Sequence, residues 1–155
     1  MYKDKLKTFL NLLKKDFSAG KKTFDIGLMV IEPKSRIKKE GILKEVKKTV
    51  DIESLIYGKD SRDEEIFNKI IQSFQRSKWI LLEITKDLSS PMLNQLKNLS
   101  NSNSFQIIDY GGKDVFEMKM PEKSRIIFLA ERNFIEKEIR YPHFYTFFGP
   151  TLNIK

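Results

Sequence analysis

The chain has 155 residues, of which 40% are hydrophobic, 12% aromatic and 32% charged, the balance of a folded protein with one buried core and no room for two ordinary domains. It has no cysteine and a single histidine, which excludes disulfides, thiolate zinc sites and cysteine nucleophiles and leaves histidine-based metal sites or Ser-His-Asp catalysis hard to assemble. The net charge is +8, but no run approaches the ~18 apolar residues of a membrane span, and Met1-Tyr-Lys-Asp-Lys5 has no apolar stretch of the kind that directs secretion.

Leu6, Phe9, Leu10, Leu13 and Phe17 recur at helical spacing with lysines between them, predicting an amphipathic first helix. Ser18-Ala19-Gly20 stops it. Thr23 to Ile31 is almost continuously apolar, as expected of a strand covered on both faces, and Pro33 ends that strand. Lys34 to Lys48 is the densest basic stretch, interrupted by Glu40 and Glu45 and poor in aromatics. A solvated helix over Ile37–Val50 is preferred there to a polyanion site.

Asp51 to Gly58 is expected to turn the chain into the next helix, with Asp60 or Ser61 as N-cap and Ile66, Phe67, Ile70, Ile71 and Phe74 on its buried face. Trp79-Ile-Leu-Leu82 is a second buried strand. Ser89-Ser90-Pro91 opens a helix with Met92, Leu93, Leu96 and Leu99 as its apolar stripe, and Asn98–Ser104 is a polar loop. Residues 105–120, centred on Gly111-Gly112, are expected to form a β-hairpin. Arg125–Ala130 is a third buried strand, Asn133–Ile139 a short helix or turn, and Thr151–Ile154 a last strand. Buried strands alternating with helices imply a three-layer α/β domain with a mainly parallel sheet spanning residues 1–155.

The order of Ile56-Tyr57-Gly58, Lys78-Trp79-Ile-Leu-Leu-Glu83, the hairpin, Pro121-Glu-Lys-Ser-Arg125-Ile-Ile-Phe128 and Phe148-Gly-Pro-Thr-Leu-Asn-Ile154 resembles the AAA+ modules of dynein heavy chains and the related midasin. The resemblance implies a P-loop NTPase-like (AAA+-like) fold in which Glu32-Pro33-Lys34 matches the Asn-Pro-Lys-like end of the strand that follows the P-loop helix, and Met1 lies past the P-loop. It places Glu83 at the Walker B aspartate, Ile84 at the water-activating glutamate and Phe147 at a segment that often carries an arginine. It also makes Arg132 or Asn133 a candidate polar sensor. Gly20-Lys21-Lys22-Thr23 lacks the earlier glycine and precedes a strand, so it is taken as a helix-ending turn rather than a phosphate loop.

With the Walker A motif missing and the Walker B pair broken, the expectation is a non-catalytic structural or interaction module that takes no cofactor. Its implied partners are other protein subunits of a larger assembly, dynein or axonemal proteins among them, in the cytoplasm, cytoskeleton or ciliary axoneme, without membrane or nucleic acid. Tyr141, Phe144, Tyr145, Phe147 and Phe148 are denser in aromatics than a terminal strand needs, and are candidates for protein contact. Trp79 and His143 are taken as packing residues. Two alternatives stay open: an ATPase segment whose P-loop comes from another chain or a further region, and a basic nucleic-acid-binding module. Under the AAA+ alignment the strand before the P-loop is absent, so Arg125–Ala130 and Thr151–Ile154 are expected either to pair directly or to be bridged by a partner's strand.

Overall fold

A computed structural model describes residues 2–14, 26–102, 104–108, 115–119, 124–133 and 149–155. Five parallel strands form the main sheet: β1 (Ile26–Ile31), β2 (Ile52–Tyr57), β3 (Trp79–Ile84), β6 (Ile126–Glu131) and β7 (Thr151–Ile154), in the order β2-β3-β6-β1-β7. Helices α1 (Tyr2–Lys14), α2 (Lys39–Lys47), α3 (Asp63–Gln75) and α4 (Ser90–Ser102) connect and cover it. The hairpin strands β4 (Ser104–Ile108) and β5 (Val115–Lys119) pair antiparallel as a separate sheet, as expected of an insertion that does not join the main one. Its Gly111-Gly112 turn lies outside the described residues.

Alternation along the strands builds two cores. Ile26, Leu28 and Val30 face α3 and α4, where Phe74, Met92 and Leu96 pack with Ile80, Leu82 and Phe128. Met29 and Ile31 face the other way, toward Leu6, Phe9, Leu10 and Leu13 of α1 and Ile42 and Val46 of α2. These are the two apolar faces of a covered parallel sheet, and they make three layers. Trp79 belongs to the α1–α2 core and is 7% exposed, in keeping with a packing role.

β1 lies between β6 and β7, with Ile26 opposite Ile126 and Leu28 opposite Thr151. The expected gap between the last two strands is therefore filled from within the chain, and neither direct pairing of those strands nor a partner's strand is needed there.

Three local expectations are also corrected. Residues 52–57 are a strand, not a turn, and pair with β3 at six positions from Ile52↔Trp79 to Tyr57↔Ile84. Their polar residues mark an edge strand, half of whose side chains meet solvent. α4 continues to Ser102 through the stretch expected to be a loop, because Asn and Ser are mediocre helix formers but not breakers, and Leu96 and Leu99 hold the helix on the core. Neither Asp60 nor Ser61 caps α3. Arg62 stands at its N-cap without a side-chain hydrogen bond, and the Ser61 hydroxyl instead donates to the Ile56 carbonyl and accepts the Gly58 N–H. The expected start of α4 holds: Ser89 Oγ accepts the Met92 N–H at 3.1 Å. The helix or turn expected over 133–139 falls outside the described residues from 134 onward.

α3 ends in a Schellman turn, with Lys78 N–H on the Ser73 carbonyl at 3.0 Å and Ser77 N–H on the Phe74 carbonyl at 2.9 Å. This puts Ser77 at φ 54°, a left-handed conformation that costs a residue with a Cβ roughly 1–2 kcal/mol and glycine little. Ser77→Gly is expected to raise stability by about 0.5–1 kcal/mol. A urea midpoint equal to or below that of the parent chain would show that the turn is not strained. Beside it, Glu53 accepts the Ser73 hydroxyl at 2.7 Å and lies 2.7 Å from Arg76 Nη2 and 3.4 Å from Lys78 Nζ. The Ser73 hydrogen bond, with the neighbouring cations, holds the Glu53 carboxyl below its ordinary range against the opposing effect of burial.

Candidate functional site

In open parallel sheets ligands bind beyond the carboxyl ends of the strands, where helix N-termini and loops converge. Here that rim is formed by Ile31, Tyr57, Ile84, Glu131 and Ile154 with the loops that follow. A cavity of about 440 Å³ opens on it, lined by Glu32, Pro33, Lys38, Lys39 and Glu131 among others.

The loop from the end of β1 to the start of α2 is the strand–loop–helix connection next to the centre of the sheet. Counted against Gly-x-x-x-x-Gly-Lys-Ser/Thr, Glu32 and Ile37 stand at the glycine positions, Lys38 at the lysine and Lys39 at the hydroxyl residue. The substitutions change what the loop can do. A phosphate cradle aims several backbone amides at one anion, but here the Ser35 N–H is spent on the Glu32 carbonyl at 3.0 Å and the Ile37 N–H on Ser35 Oγ at 3.1 Å. Pro33 has no N–H to offer.

Glu83, on β3, meets the residue at the hydroxyl position. Lys39 Nζ lies 2.5 Å from Glu83 Oε1 and 4.0 Å from Glu131 Oε1. The Glu83 and Lys39 side chains are 19% and 32% exposed, so the pair is partly shielded from water, which makes it stronger than an open surface contact. A tethered ammonium thus sits between two carboxylates at the ends of neighbouring strands. Ile84, the next residue, is buried in the α3–α4 core and can activate no water.

Arg132 ties the other half of the rim together. Its Nε donates to Glu32 Oε1 at 2.7 Å and its Nη2 to Asn153 Oδ1 at 2.9 Å, linking the ends of β6, β1 and β7. Asn133 is exposed at the cavity margin. Farther along, the buried Tyr57 hydroxyl donates to Asp63 Oδ1 at 3.0 Å and accepts the Ser89 N–H at 3.2 Å. Ser89 Oγ donates to Asp63 Oδ2 at 2.7 Å, while Lys86 Nζ lies 4.5 Å from the Tyr57 ring centroid. Burial raises the Tyr57 hydroxyl above its ordinary pKa. These hydrogen bonds tie the strand ends to one another and to the starts of α3 and α4.

The structure brings Glu83, Arg132 and Asn133 to the same rim. Tyr141, Phe144, Tyr145, Phe147 and Phe148, with His143 and Gly20–Thr23, lie outside the described residues. Sequence reasoning did not single out Lys38 and Lys39, which the strand–loop–helix connection after β1 brings to this rim. The signal was present: a continuous apolar strand, eight residues with Lys at the seventh, and an amphipathic helix. Among the described residues no group of three or more His, Asp or Glu is placed to hold a metal ion, and no helix is long and apolar enough to cross a membrane. No family model matches the chain, and no curated protein matches it either.

Proposed function

We propose that the chain is a degenerate AAA+-like module, akin to those of dynein heavy chains, that performs no nucleotide chemistry and serves as a structural or interaction unit of a larger protein assembly. The observation that carries this proposal is the Lys39 ammonium held 2.5 Å from Glu83. In a working P-loop site the residue at the Lys39 position is a hydroxyl ligand of Mg²⁺ and the acid at the Glu83 position faces the same ion. A lysine there removes the hydroxyl ligand and neutralises the acid.

The strand order supports the AAA+-like part of the proposal. β1 lies between β6 and β7, the place that the resemblance assigns to the strand ahead of the P-loop, so the phosphate-loop position falls at Glu32–Lys39 inside the chain. An ATPase completed by a supplied P-loop strand loses support, since β1 already fills that strand's place. The expected placement in a microtubule motor, cytoskeleton or cilium rests on the resemblance.

Titration calorimetry of the chain with Mg-ATP and Mg-ADP is expected to give no saturable heat, and neither nucleotide is expected to raise the thermal midpoint. Micromolar binding of either one would overturn the proposal.

A further inference from the structure

The net charge is not spread evenly over the three layers. Residues 2–14 and 32–48, which carry α1, α2 and the loop before α2, hold eleven Lys or Arg against four Asp or Glu, and of these cations Lys39 is turned to Glu83 at the strand ends. The opposite layer, residues 59–75 and 86–102 with α3 and α4, holds five against five. Folding joins two stretches that are separate in sequence into one basic face. α1 and α2 pack on the same core, and Glu45 of α2 lies 3.5 Å from Lys3 of α1 and 3.0 Å from Lys48. Lys7, Lys34, Arg36, Lys44 and Lys47 are all exposed. Like charges gathered on one face repel one another, and a bound polyanion relieves that repulsion.

We infer that this α1–α2 face docks an acidic polypeptide segment, which deepens the interaction role proposed above and rests on it. Charge complementarity selects the sign of the partner, and the composition of the face selects its class. Only one of the eleven cations is an arginine, Arg36, so the bidentate forks that read guanine edges are scarce. Among the described residues of the face the aromatics are Tyr2 and Phe9, which pack against or within the core and offer no platform for stacked bases. Asp4 and Glu40 stand exposed within the face. They repel a phosphate backbone of uniform charge density, whereas a polypeptide can set neutral or basic residues opposite them. Lysine ammoniums on flexible stems suit the separate carboxylates of a Glu/Asp-rich chain.

The test is fluorescence anisotropy of a labelled oligoglutamate peptide titrated with the whole chain at several salt concentrations, with duplex DNA and an uncharged peptide as comparison probes. Saturable, salt-weakened binding of oligoglutamate is expected, tighter than that of duplex DNA. The combined Lys7→Glu, Lys44→Glu and Lys47→Glu variant is expected to weaken it roughly tenfold or more. Lys69→Glu with Lys97→Glu, on the opposite layer, should leave it unchanged. Far-UV circular dichroism and thermal midpoints establish that both variants fold. Absence of salt-sensitive binding, equal loss in the two variants, or tighter binding of duplex DNA would overturn the inference. None of these outcomes bears on nucleotide binding, which the calorimetric titration decides separately.

Discussion

Gly27→Val is expected to destabilise the protein by about 1–3 kcal/mol, seen as a lower urea midpoint with an unchanged slope and as a thermal midpoint lowered by several degrees. Gly27 sits in β1 directly beneath α1. A Cβ placed there would come within 2.6 Å of Phe9 Cζ and 2.9 Å of Leu13 Cδ1. Both contacts are with side-chain ends, which in an open site could swing away at little cost. Phe9 is only 3% exposed and Leu13 is 0% exposed, so neither has space to move into, and α1 must lift from the sheet. Gly27→Ala should show the same loss at smaller size. An unchanged midpoint in Gly27→Val would mean that α1 is not seated over β1 as described.

The second large effect is expected at Arg125, which is only 7% exposed. Its Nε donates to the Leu13 carbonyl at 2.6 Å and its Nη1 to the Ser124 carbonyl at 2.7 Å. The Leu13 carbonyl is in the last turn of α1, where intrahelical partners run out and a cation complements the helix dipole. One side chain thus fastens the end of α1 to the entrance of β6. Arg125→Met keeps most of the apolar stem but strands buried carbonyls, and is expected to cost about 2–4 kcal/mol. Hydrogen exchange localises the effect: amides of α1 should lose protection well before those of β3. Equal loss in both elements, or none, would show that Arg125 does not anchor the helix.

The architecture was legible where residues are buried on both sides. The runs ending at Ile31, starting at Trp79 and preceding Glu131 are apolar because both faces of the sheet are covered, and each proved to be a strand. β2 was missed because an edge strand has solvent on one flank, so Glu53 and Ser54 interrupt its pattern. The Ser/Asn-rich end of α4 was missed because tertiary packing of Leu99 outweighs weak local propensity. Glu83 and Arg132 could be singled out from their positions after apolar strands, but their partners could not. Lys39 is 44 residues from Glu83, and Glu32 is 100 residues from Arg132. Only the order of strands brings such pairs together, and no local pattern encodes it.

The position of β1 between β6 and β7 also dictates the order in which the sheet can be assembled. β2 and β3 are 27 residues apart at Ile52↔Trp79 and can close early, whereas Ile26 must wait for Ile126 and Leu28 for Thr151. Closing such long loops comes before their contacts stabilise anything, which slows folding. On a ribosome β1 stays without sheet partners until nearly a hundred more residues have followed. An apolar strand waiting that long is a site for mispairing, and α1 and α2, adjacent to it in sequence and packed on its Met29 face, are made in time to shield it.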